Sequence, residues 1–118
     1  MNCQAQVNDL SAAEMASENA RSVYQALSVC YQQNLDRAIT TQNKVQEIRA
    51  LNNLAVAQFV IGNYLNAQEL HQRQLTAAQQ QGNTLQMGIA RAGIGATLAA
   101  LGNYSEAIAQ YQASLPML

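Results

Sequence analysis

Positions 62–64 of the chain read Gly-Asn-Tyr, and positions 102–104 read the same. The residues beyond each copy recur in step: Ala67 returns as Ala107, Gln72 as Gln112 and Leu75 as Leu115, all at the offset of 40 that separates Gly62 from Gly102. A fixed period in this range marks stacked supersecondary units, each too small to bury its own apolar face. One period earlier, Tyr24, Tyr31 and Leu35 stand opposite Tyr64, His71 and Leu75, so an eroded copy precedes the two clear ones.

Within each period the residues favour helices. Gly62, Gly82 and Gly102 fall 20 residues apart, and the only proline is Pro116. From Val45 to Ile61 the apolar stripe Ile48, Leu51, Leu54, Ala55 and Ile61 follows helical spacing, broken only by Gln58. Gly62 stops that helix and Asn63 is placed to cap the next, which carries Tyr64, Ala67, Leu70, His71, Leu75 and Ala78 on one face. The cycle repeats with a helix over 85–101, a stop at Gly102, and a capping box of Asn103 with Glu106 before a helix to about Leu115. Earlier, Ser11 and Glu14 form another capping-box pattern, and residues 1–10 are expected to be loose. Ser22 and Val23 replace the Gly-Asn pair of later units, so the first unit is either one long helix over 11–41 or two helices with a poor corner.

A chain of 118 residues with 49% hydrophobic content suits one all-α domain. It divides into a degenerate unit over 11–43, a second over 44–83 and a third over 84–118. The net charge of −1 gives no basic footprint for nucleic acid, and no apolar run is long enough for a membrane span. Cys3 and Cys30 have no neighbours at metal-ligand spacing, so two reduced cysteines in a cytoplasmic protein are expected, with no metal and no cofactor. The first residues lack the basic and apolar regions of a signal peptide.

The corner Gly62-Asn63-Tyr64-Leu65-Asn66-Ala67, an aromatic or histidine four residues later and Leu75 after it together resemble the tetratricopeptide repeat. Ala50-Leu51-Asn52-Asn53-Leu54-Ala55 is similar to the first helix of the longer variant found in kinesin light chains and bacterial multi-repeat proteins. Ile94-Gly95 and Ala100-Leu101-Gly102-Asn103-Tyr104-Ser105-Glu106-Ala107 match it equally well. The resemblance spans residues 44–115. Over 11–41 it is weaker, because Glu14, Met15 and Glu18 stand where apolar or small residues are expected.

The resemblance implies an α-solenoid of about two and a half units that binds protein partners and catalyses nothing. In such folds the first helix of each pair lines a concave groove. Those positions here are Arg49, Asn52, Asn53, Val56, Phe59 and Val60 in the second unit, and Ile89, Ala92, Gly93, Ala96, Ala99 and Ala100 in the third. Asn53, with Asn52 beside it, is implied to serve the backbone of a helical or extended ligand segment. Gly88, Ala92, Ala96 and Ala100 recur four apart, a smooth face that admits a close neighbour. Lys and Arg clamps for a carboxylate are missing apart from Arg49.

The alternative is self-association. With no polar helix after the third unit, Ile108, Leu115, Met117 and Leu118 are expected to form an apolar patch that a second copy covers in a homodimer. Other motifs carry less. Arg91 is expected to reach solvent or to pair with Glu69 or Glu106, and His71 to be a packed histidine in the place of Tyr31 and Tyr111. Glu14 and Glu18 read as a solvated helix face. Gly93-Ile94-Gly95 lies within a helix and has Leu98 at the third small-residue position, which excludes a phosphate loop.

Overall fold

In the computed structural model, which describes Cys3 and residues 20–118, the helices succeed one another through corners of two or three residues. They are α1 (Ala20–Thr40), α2 (Lys44–Ile61), α3 (Tyr64–Gln81), α4 (Thr84–Ala100) and α5 (Tyr104–Ser114), with a 3-10 turn, Leu115–Met117, after the last. Among the described residues there is no strand. The chain is an all-α stack of helix–turn–helix units, in agreement with the periodicity. The expected capping box at Ser11 and Glu14, the loose stretch 1–10 apart from Cys3, and residues 11–19 of the first unit lie outside the described residues. α1 itself runs through Ser22 and Val23 without a break.

The corners are built alike. Asn63 N–H donates to the Gln58 carbonyl at 2.8 Å and Gly62 N–H to the Phe59 carbonyl at 3.0 Å, and the same crossed pair closes α1, α3 and α4. This arrangement satisfies carbonyls otherwise orphaned at a helix end and needs one residue in the left-handed region. Gly62, Gly82 and Gly102 adopt φ of 100°, 65° and 86°. Gln42 takes the same conformation at φ 55°, so the 20-residue punctuation begins one step before the first glycine.

The caps differ from expectation. Asn43 and Asn83 accept from the backbone N–H of Gln46 and Gln86, both at 3.1 Å. Asn63 and Asn103, expected as caps, make no such bond. Asn63 Nδ2 instead donates to Gln58 Oε1 at 2.8 Å. The backbone N–H that Glu106 would need in a capping box, that of Asn103, is already engaged by the Leu98 carbonyl. Gln58, which interrupts the apolar stripe of α2, also donates to Ser28 Oγ at 3.2 Å and so ties α1, α2 and the α2–α3 corner together.

The core is a succession of clusters, each shared by neighbouring helices, as a stack of units requires. Leu35, Ala50, Leu51, Leu54, Ala55 and Leu70 join α1, α2 and α3. Leu75, Ala90, Ile94, Leu98 and Ala107 join α3, α4 and α5. Ala67 and Ala107 are buried at their helix crossings, where a larger side chain would hold the helices apart. Leu75 and Leu115, equivalent in the period, diverge: Leu75 is buried beneath α4, whereas Leu115 is 68% exposed.

The cysteines require a correction. Cys3 and Cys30 form a disulfide with Cα atoms 5.5 Å apart, and both are buried beside Leu27. The expectation of reduced thiols rested on near-neighbour spacing, whereas this bond joins positions 27 residues apart.

Candidate interaction groove

α2 and α4, the first helices of consecutive units, touch directly as well as through α3. Between them opens a hollow of about 260 Å³. Its wall is Asn52, Val56 and Phe59 from α2, His71 from α3, and Ile89, Gly93 and Ala96 from α4. On each groove helix the three residues fall at i, i+4 and i+7, the spacing of a single face. No carboxylate or cation lines the hollow.

The three glycines within α4 each have a neighbour that explains them. A methyl group at Gly93 would overlap the His71 ring. At Gly95 it would lie 3.2 Å from the Tyr111 ring, and at Gly88 only 2.8 Å from Met117 Cβ. The small-residue face of α4 therefore receives several partners. His71, Tyr111 of α5 and the turn beyond α5 each meet one of these glycines.

His71 is the lining residue that the sequence treated only as packing. It is 4% exposed, and its Nδ1 lies 2.8 Å from Gln74 Oε1. Gln74 is fully buried and donates through Nε2 to Gln86 Oε1 at 2.9 Å. Burial lowers the His71 pKa below the usual histidine value, and the hydrogen bond to Gln74 opposes that shift only in part. The sequence signal that could have found His71 is Gly93, a costly residue inside a helix.

Of the other sequence-derived groove positions, Arg49, Asn53 and Ala100 are exposed, and Val60 and Ala92 are half-buried. They flank the hollow along α2 and α4 without lining it. Arg91 is half-buried: its Nη1 reaches Gln110 Oε1 at 3.5 Å, and its Nε is buried without a partner. Neither Glu69 nor Glu106 pairs with it; the ion pair among the described residues is Lys44 with Glu47 at 3.8 Å.

At the other edge, Tyr104, Ile108 and Tyr111 of α5 and Leu115 of the turn after it keep helical spacing and are all exposed, as is Leu118. Met117 is half-buried over Gly88, so the turn folds back onto α4. Among the described residues no group of three or more His, Cys, Asp or Glu is placed to hold a metal, and no helix is long and apolar enough to cross a membrane.

The tetratricopeptide repeat family matches residues 46–118, more than half of the chain and all of the groove. The chain belongs to the tetratricopeptide repeat family. No curated protein matches it. Tetratricopeptide repeat proteins mediate protein–protein interaction and are typically non-enzymatic scaffolds. The matched span begins in the first turn of α2, so α1 lies before the region the family recognises.

Proposed function

We propose that this tetratricopeptide repeat chain binds a helical or extended segment of another protein along α2 and α4, with the hollow between them as the central anchor. The observation that carries this reading is the hollow itself, lined by one face of each groove helix and free of charge. Partner specificity then rests on shape and a few polar groups, with Asn52 in the wall and Asn53 beside it as backbone partners. A peptide selected from a displayed library and mapped by methyl NMR tests this. Its contacts should centre on Val56, Ile89 and Ala96, and Ala96→Arg should abolish binding while leaving the helical spectrum intact. A selected peptide that maps to α5 discards the groove.

A second reading is favoured by the exposed line of Tyr104, Ile108, Tyr111 and Leu115. A contiguous apolar face of this kind suits an association surface, and a second copy of the chain is its simplest partner. The disulfide between Cys3 and Cys30 supports action in an oxidising compartment rather than the cytoplasm.

A further inference from the structure

The second ring nitrogen of His71, in the wall of the hollow, is not engaged by the hydrogen bond to Gln74. Gln74 Nε2 donates to Gln86, which leaves Gln74 Oε1 facing His71 Nδ1. An amide oxygen can only accept, so Nδ1 carries the ring proton and Nε2 presents a lone pair. No described residue reaches that lone pair. His71 is more than nine-tenths buried and lines the hollow, and a methyl group on Gly93 would fall on the face of its ring. Gly93 makes room for the ring at the wall of the hollow, at a helix cost of roughly 1 kcal/mol relative to alanine.

We propose that the hollow is a specificity pocket for a tyrosine side chain of the bound protein, its phenol donating to His71 Nε2. This inference rests on the groove reading and names what the groove selects. The hollow, about 260 Å³, is smaller than the ~300–1,000 Å³ usual for small-molecule sites and suits a single side chain. Phe59, Val56 and Ile89 offer apolar walls to a ring, and Phe59 an edge or face for aromatic packing. A serine or threonine hydroxyl is too close to its backbone to reach a buried floor. A lysine ammonium would lose its water in a site with no carboxylate to receive it. Tyrosine alone among the common side chains carries an apolar ring with a hydroxyl donor at its tip. The groups facing His71 across the hollow from α2 and α4 are not titratable, so the imidazole stays an acceptor near neutral pH.

The chain has a single histidine, so the ring nitrogens can be tracked by ¹⁵N NMR without ambiguity. p-Cresol and p-xylene serve as probes of nearly equal shape, only one of which donates. The free protein should show Nε2 unprotonated. p-Cresol should shift that resonance and bind roughly 2- to 10-fold more tightly than p-xylene, the range of one net hydrogen bond. A protonated Nε2 in the free protein overturns the proposal. Equal binding of both probes with Nε2 unmoved also overturns it, yet leaves the groove as an aromatic anchor site. Binding of neither removes the pocket itself, and the peptide mapping then decides the groove separately.

Discussion

Gly93 and His71 constrain one another. Alanine at 93 gains roughly 1 kcal/mol of helix propensity, but its methyl overlaps the buried ring. The overlap is expected to dominate, with a net loss of ~1–3 kcal/mol typical of overpacking. Gly95→Ala, whose methyl would meet Tyr111 at 3.2 Å, should cost less. Urea midpoints of the two variants check the ordering; equal midpoints would show that the ring moves aside freely. Protonation of His71 is also legible in stability. The folded ring has a pKa below the ordinary value of 6.5 that it recovers on unfolding. Between those two values the unfolded chain binds a proton that the folded one does not, so stability falls as pH drops below the ordinary value. His71→Gln should flatten that slope, and an unchanged slope would place its origin elsewhere. Sequence alone identified a packed histidine, because its period equivalents are Tyr31 and Tyr111. The open Nε2 was not legible, since it depends on the direction of two amides, buried Gln74 and half-buried Gln86. By contrast, exposed Asn53 should tolerate alanine with a change within ~0.5 kcal/mol, while partner binding weakens.

At the scale of elements, the corners decide where helices end. Glycine punctuation made three of them readable. The fourth was not, because Gln42 carries no compositional sign of its left-handed backbone. That conformation costs an L-residue roughly 1–2 kcal/mol, whereas glycine adopts it freely at a smaller cost in unfolded-state entropy. Gln42→Gly is therefore expected to raise stability by about 0.5–1 kcal/mol. Thermal unfolding checks it, and a lower midpoint would mean that the Gln42 side chain contributes contacts worth more than the strain. The asparagines one step later look equivalent in sequence but are not. Asn83 caps α4 through Gln86 N–H, whereas Asn103 makes no side-chain cap bond. Asn83→Ala should then cost ~1 kcal/mol and Asn103→Ala less. Equal losses would show that Asn103 stabilises its corner by another route.

Over the whole molecule, each unit depends on the next for cover, and the two ends of the stack solve that differently. At the first end the disulfide joins Cys3 to Cys30 on the buried side of α1. A link over 27 residues constrains the unfolded chain by ~3–4 kcal/mol in the loop-entropy account, so reduction should lower the thermal midpoint. Two thiols that titrate without denaturant or reductant would refute the pairing. Such a bond was illegible because sequence spacing speaks for near neighbours, while the repeat period places residues only within the stack. At the other end the period aligned Leu115 with Leu75, yet the two differ in burial, Leu75 lying beneath α4 and Leu115 exposed. The resulting line of Tyr104, Ile108, Tyr111 and Leu115 runs the length of α5 and into the turn after it, and Met117 is partly withdrawn onto Gly88. Covering that line gains roughly 25 cal/mol per Å² of apolar surface before association costs are subtracted. An association of this origin should persist in high salt, because it does not depend on charge. Light scattering across a concentration series is expected to detect a dimer. Ile108→Glu, which places a carboxylate at the centre of the line on a 56% exposed position, should split the dimer without unfolding the protomer. A wild-type chain that stays monomeric at high concentration would discard self-association and leave α2 and α4 as the binding surface.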